Sequence, residues 1–172
     1  ELLRRLGAPV HGATTLSGEV AGDLRTGVLS GNLAAEMQAP QGEPALTALL
    51  GPAPRLTVAA AREADGTLRA RNLRLDGRDI RLDADGHLAA DGALAGELRA
   101  ALPRLAALAQ PLGMPIAGQL SADVALSGTI GRPAAKVRLS SPEVTAAGRR
   151  LRRVALSADG RLEDSRLSAR VD

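Results

Sequence analysis

The feature that most constrains the fold is a two-residue alternation of apolar and polar side chains between residues 55 and 100. Leu56 and Val58, and later Leu73 and Leu75, are each separated by one polar residue. A period of two places successive side chains on opposite faces of a β-strand. Asp-Gly pairs, which favour tight hairpin turns, interrupt the alternation at residues 65–66, 76–77, 85–86 and 91–92. The segment therefore predicts an antiparallel meander with one apolar and one polar face.

A second block of alternation begins at Ile116 and continues towards the C-terminus. Between the two blocks the leucines lie three or four residues apart, which is typical of one face of a helix. These leucines are Leu98, Leu102, Leu105, Leu108 and Leu112. Pro103 suits the first turn of such a helix, and Pro111 would end it. We expect the helix from Pro103 to Gln110 to cover one edge of the sheet, which could otherwise pair with another chain.

The first fifty residues carry weaker signals. Leucines near the N-terminus indicate the tail of a short helix, and small residues alternating with Leu and Val between Thr14 and Leu33 predict two short strands. Residues 39–43 are expected to form a loop. Pro44 to Leu50 is expected to form a short helix, with proline near its first position and Gly51 after its last.

An internal repeat relates the two ends of the chain. Gly7, Pro9 and Gly12 are matched by Gly113, Pro115 and Gly118 at an offset of 106 residues. Repeats of this kind build elongated bodies whose units contact their neighbours. We therefore expect one continuous elongated unit with three parts: residues 1–54 as the end of one repeat, 55–100 as the meander, and 101–172 as a second repeat.

Composition narrows the class of protein further. The chain has 172 residues with no cysteine and no Phe, Trp or Tyr, so any core must be built from Leu, Val, Ile and Ala. Single-stranded nucleic acids are usually bound on aromatic platforms, and their absence argues against a nucleic-acid partner. The longest uncharged run, residues 105–122, contains prolines and glycines that argue against a transmembrane span. Because the first residue is Glu1, we expect a segment of a longer protein.

No catalytic or metal-binding pattern is present in the sequence. The two histidines, His11 and His87, lie far from any cluster with the spacing of metal ligands. Phosphate-binding and dinucleotide-binding glycine patterns are also missing. The sequence therefore predicts a protein that is not an enzyme, with no cofactor and no metal.

Residues 105–170 resemble the repeats of the TamB family, the AsmA-like translocation and assembly module proteins. The similarity lies in Leu-Ala-Gln-Pro-Leu-Gly-Met-Pro-Ile-Ala-Gly-Gln-Leu, followed by Val-Ala-Leu-Ser-Gly-Thr-Ile-Gly-Arg-Pro-Ala. The resemblance implies an all-β periplasmic segment, an elongated antiparallel sheet curved into an open trough with one or two short helices. The parent protein would be anchored in the inner membrane and would work with an outer-membrane barrel of the TamA or BamA type.

For this chain, the resemblance implies that the apolar face carries phospholipid acyl chains, supports outer-membrane protein assembly, or does both. Neighbouring repeats of the same chain would extend the trough. The residues predicted to line it are Leu56, Val58, Leu68, Leu73, Leu75, Ile80, Leu82, Leu88, Leu94, Leu98, Leu120, Val124, Leu126, Val137, Leu139, Val154 and Leu156. The same alternation also fits a closed two-sheet sandwich, and hence a structural stalk or adhesin fragment that fills its own core.

Overall fold

A computed structural model describes residues 10–23, 25–163 and 166–171, and every strand within them belongs to one antiparallel sheet. Two short α-helices and one 3₁₀ turn complete the described part of the chain. The strands are β1 (Val10–Asp23), β2 (Val28–Gly42), β3 (Arg55–Arg62), β4 (Leu68–Asp76), β5 (Arg81–Leu88), β6 (Leu94–Leu102), β7 (Ile116–Gly118), β8 (Leu120–Thr129), β9 (Arg132–Ala146), β10 (Arg149–Glu163) and β11 (Arg166–Val171). The helices are α1 (Pro44–Leu50) and α2 (Ala109–Leu112), with the 3₁₀ turn at Leu105–Leu108.

Neighbours along the chain are neighbours in the sheet. The order is β1 to β6, then β8 to β11, and β7 pairs with β9 in line with β8. The sheet does not close on itself, so β1 and β11 form its two edges. The predicted all-β fold, an open antiparallel sheet with short helices, is confirmed.

The strand register places the large apolar residues on one face, which we call the inner face. Leu33 lies opposite Val58, Leu75 opposite Leu82, and Leu98 opposite Val124. The same face continues through Val137, Leu139 and Leu156 towards the C-terminal strands. The period-two alternation therefore produces a continuous apolar surface across the sheet.

A β-bulge in β4 keeps its leucines on this face. Leu68 and Leu73 differ by an odd number of residues and would lie on opposite faces of a regular strand. Asn72 adopts a positive φ of 52°, and the register shifts between Ala70 and Leu73. The extra residue restores the alternation, so that Leu68 faces Leu88 and Leu73 faces Ala84.

The outer face carries rows of alternating charge. One row crosses five strands in the order Arg74, Asp83, Arg99, Asp123 and Arg138. The guanidinium of Arg99 lies 3.8 Å from Asp123, and the side chain of Asp76 accepts a hydrogen bond from Arg74 that raises the pKa of that guanidinium. Opposite charges on neighbouring strands favour this register over one shifted by a single residue.

The helical segments gather at one end of the sheet, and we call α1, the 3₁₀ turn and α2 the helical cap. Pro44 begins α1, where its missing N–H costs no hydrogen bond, and the Glu43 side chain accepts a bond from the Leu46 N–H. Leu49 and Leu105, from the two halves of the cap, are 6% and 4% exposed and are the buried hydrophobic residues of the described chain. The helix predicted from Pro44 to Leu50 is confirmed.

The turn between β4 and β5 joins the cap to the sheet. The backbone N–H groups of Arg78 and Asp79 donate to the carbonyls of Leu50 and Leu49. The Asp79 carboxylate is almost fully buried and accepts a hydrogen bond from Arg104 at 2.5 Å. These contacts fix the cap across the ends of the strands.

The predicted helical stripe from Leu98 to Leu112 is wrong in its first half. Leu94–Leu102 is strand β6, and only the residues from Leu105 onward are helical. Leu98 and Leu102 also satisfy a period of two, and pairing on both sides, with β5 and β8, favours the strand. The cap therefore lies over strand ends, and the predicted cover of a sheet edge is wrong because β6 pairs directly with β8.

The N-terminal strands are longer than predicted. β1 and β2 span 14 and 15 residues, and β2 continues to Gly42 through the region expected to be a loop. A bulge near His11 and the positive φ of Ala39 accommodate this extension. The helix predicted at the N-terminus lies outside the described residues.

The repeat found in the sequence corresponds to equivalent strands. An offset of 106 residues carries β1 (Val10–Asp23) onto residues 116–129, which β7 and β8 cover. Both hairpins are irregular near the same point, by a bulge in β1 and by the break at Gly118 between β7 and β8. The described residues of all three predicted parts contribute strands to the same continuous sheet.

Candidate binding groove

The inner face forms an open groove with a cavity of about 1000 Å³. Seven adjacent strands, β1 to β6 and β8, contribute its walls. Laid flat, seven strands would extend across about 29 Å at the usual spacing of about 4.8 Å. Leu16 of β1 and Leu126 of β8 nevertheless line the same cavity, because the sheet is curved.

Seven of the predicted lining residues contact this cavity. They come from β3 to β6 and β8, and their alternation in the sequence is what identified them. They are Val58, Leu68, Leu73, Leu88, Leu94, Leu98 and Leu126.

The other predicted residues lie elsewhere. Most share the inner face through their cross-strand partners and extend it towards the cap or towards β10: Leu56, Leu75, Leu82, Leu120, Val124, Val137, Leu139, Val154 and Leu156. Ile80 lies in the turn before β5, where its carbonyl accepts a hydrogen bond from Gly77. The structure therefore separates the cavity itself from a longer apolar face.

One wall of the groove was not predicted from the sequence. It comes from β1 and β2, whose lining residues include Leu16, Val20, Leu29 and Leu33. The signal that could have identified them is the same two-residue spacing, with Gly18 and Gly31 occupying the intervening inner positions. Glycine has no side chain to mark a face, and this concealed the pattern.

A band of small residues crosses the floor of the groove. Gly31, Ala60, Ala70, Gly86 and Gly96 lie opposite one another on five consecutive strands. Bulkier residues flank the band on both sides, including Leu33 and Val58 on the cap side and Leu68 and Leu88 on the other. The floor is therefore lowest along this band, and the walls rise around it.

The protein leaves the inner face uncovered. Val20 is 81% exposed, Leu16 63%, Leu68 48% and Leu33 45%. Within the described residues no hydrophobic side chain outside the cap is buried. A two-sheet sandwich would bury these residues against a second sheet. The described chain forms a single sheet, so the closed alternative considered from the sequence is wrong.

Charged groups lie mainly outside the groove, on the outer face or in the turns. In the described part of the chain, no three His, Asp or Glu side chains lie close enough together to hold a metal ion. None of the described helices has the length and apolar character needed to span a bilayer. What the groove offers chemically is a long apolar surface with few polar groups.

No family model, curated protein or solved structure matches this chain.

Proposed function

We propose that this chain is a periplasmic segment of a TamB-like protein, and that its groove carries the acyl chains of phospholipids. The observation that carries the proposal is the uncovered inner face: leucines and valines line a cavity of about 1000 Å³ without a protein layer above them. Exposed apolar patches larger than a few hundred Å² usually mark a binding surface. An occupant with a long apolar surface and no need for hydrogen-bond partners is the best match.

The size and chemistry of the groove suit an acyl chain. Ligand cavities usually measure about 300–1,000 Å³, so this groove is at the large end of the range. Burial of each methylene contributes about 0.8 kcal/mol, and fifteen of them contribute at most about 12 kcal/mol. Part of that free energy is lost because one side of the groove is open to water. Binding is therefore favourable although burial of the acyl chain is incomplete, and this suits a carrier better than a storage site.

Movement along the groove requires that no position binds much more tightly than the next. The wall consists mainly of aliphatic residues, and the sequence contains no Phe, Trp or Tyr ring that would create a deep local pocket. Where the band of small residues crosses the groove, five successive strands add no bulky side chain to the floor. An acyl chain can shift along such a surface with little change in contact area.

The resemblance to the TamB repeats supplies the wider setting. In that setting the parent protein is anchored in the inner membrane and works with an outer-membrane barrel of the TamA or BamA type. The open edge strands β1 and β11 fit a segment that continues into neighbouring repeats. The same groove could then support outer-membrane protein assembly, lipid passage, or both.

Site-specific photocrosslinking in cells tests the proposal. A photoreactive residue at Leu94 or Leu126, which line the cavity, is expected to capture phospholipid. The matched control is Arg99, which neighbours Leu98 but points to the outer face and is 72% exposed. Lipid captured at Arg99 but at neither leucine would contradict the proposal.

A further inference from the structure

The two ends of the groove differ, and the difference bears on how a ligand lies in it. At one end the helical cap and the β4–β5 turn lie across the strands. At the other end the described strands are joined by short turns such as residues 63–67 and 89–93. A linear ligand with unlike ends would therefore meet two different environments.

Arg62 lies at the uncapped end and belongs to the inner face. It is the last residue of β3, and it follows Leu56, Val58 and Ala60 on the same side of the strand. Its cross-strand neighbours are Leu29 and Leu68, and it lines the same cavity as they do. On the inner face of the described strands that form the groove, every other position is uncharged.

The guanidinium of Arg62 is held in place but keeps donors available. Its Nη1 donates to the carbonyl of Gly27 at 2.6 Å, and a Cβ at Gly27 would lie only 2.6 Å from that nitrogen. A guanidinium has five N–H donors, so four remain. Among the described residues, no carboxylate oxygen lies within 4 Å of Arg62.

The nearby carboxylates have other partners. Glu63 accepts a hydrogen bond from Arg69 at 2.5 Å. The Asp65 side chain accepts one from the backbone N–H of Thr67 at 2.9 Å, and this bond holds the pKa of Asp65 below its ordinary value. Neither acid neutralises Arg62, which therefore has no counterion from these residues at the uncapped end of the groove.

We propose that Arg62 binds the anionic headgroup, a phosphate or carboxylate, of an acyl amphiphile whose tail points towards the helical cap. This inference rests on the proposed function and adds a headgroup class and an orientation. Arginine pairs with phosphate and carboxylate oxygens through two parallel N–H bonds. Arg62 lies six residue steps along β3 from Leu56 near the cap, a distance of about 20 Å. One layer of acyl chains in a bilayer is about 15 Å thick, half of a core of about 30 Å, so a single tail fits between them.

Binding of two matched amphiphiles tests the headgroup. The probes are palmitoyl glycerol and palmitoyl glycerol phosphate, which differ only in the phosphate, and glycerol phosphate serves as the anion without a tail. We expect the purified chain to bind the phosphate form about tenfold more tightly than the neutral form at low salt, a ratio typical of one charge-assisted pair. Arg62→Gln should remove this preference while palmitoyl glycerol still binds, which also shows that the variant is folded. Arg62→Lys should retain part of the preference, and Arg99→Gln on the outer face should retain all of it.

The outcomes separate the two proposals. Equal binding of both amphiphiles, or a preference that survives Arg62→Gln, overturns the role of Arg62 but leaves acyl binding intact. If glycerol phosphate binds as tightly as palmitoyl glycerol phosphate, the proposed role of Arg62 is also overturned, because the site would then be a simple anion site. If neither amphiphile binds the unmodified chain or any variant, the proposed function itself is overturned.

The orientation has its own readout. A palmitoyl chain with a photoreactive diazirine at its methyl end should label peptides on the cap side of the groove, which contain Leu75 and Leu82. Labelling concentrated around Leu68 and Leu88, at the end near Arg62, would overturn the proposed orientation.

Discussion

Replacing Leu98 with Asp is expected to lower the affinity of the groove for an acyl ligand by about a hundredfold or more. Leu98 lines the cavity from β6 and lies opposite Ala84 and Val124, near the middle of the apolar face. A carboxylate at this position loses hydration when the ligand binds, and such burial costs several kcal/mol without a partner. Each 1.4 kcal/mol corresponds to a factor of ten. Titration of the purified protein with a fluorescent fatty acid measures the change.

A charge-matched control distinguishes the effect of a charge in the groove from the effect of the same charge elsewhere on the protein. Ser121 is exposed on the outer face, opposite Ala101 and Ser140, so Ser121→Asp adds the same charge away from the groove. Its affinity for the fatty acid should equal that of the unmodified chain, and thermal unfolding should show that both variants are folded. Equal loss in both variants, or none in Leu98→Asp, would mean that the inner face is not where the ligand binds.

Truncating the buried leucines of the cap is expected to have the largest effect on stability. Leu49→Ala and Leu105→Ala should each lower the free energy of unfolding by about 3 kcal/mol, because both remove buried methyl groups and leave a cavity. Leu33→Ala removes the same atoms from a side chain that is 45% exposed. It should cost less than about 1 kcal/mol, since solvent already reaches that position.

Chemical denaturation of the three variants checks this difference. A cost at Leu33 as large as that at Leu49 would indicate that the inner face is packed against other protein, which contradicts an open groove. The expected pattern has a simple origin: the cap contains the only hydrophobic core of the described residues, and the groove contributes surface for a ligand.

Much of the fold followed from local pattern. Alternation around Leu56 and Val58 predicted strands, and three of the four Asp-Gly pairs indicated the turns between them, because both depend on residues close in the sequence. The turn predicted at residues 85–86 is wrong, because this pair lies inside β5 and is hydrogen-bonded to β6. Pro44 and Gly51 bounded a helix correctly for the same reason. Local pattern did not predict the structure correctly at Leu98 and Leu102, because their spacing fits both a helix and a strand. Pairing with β5 and β8, distant in sequence, decided between them.

The groove depended on features that a sequence does not display. The bulge at Asn72 decides that Leu68 and Leu73 share a face, and a strict count of alternation would separate them. The small-residue band arises only when Gly31, Ala60 and Ala70 are placed in register. Curvature brings Leu16 and Leu126 to one cavity although more than a hundred residues separate them. Each of these is a property of pairing between strands.

Native mass spectrometry of the gently purified chain tests the central claim most directly, that the apolar inner face stays open for an acyl ligand. The predicted spectrum contains the protein with bound phospholipid, which is removed by detergent exchange and regained after incubation with phospholipid vesicles. Leu98→Asp should appear without lipid under the same conditions. A lipid-free spectrum for the unmodified chain, before and after exposure to vesicles, would contradict the claim and favour a structural stalk.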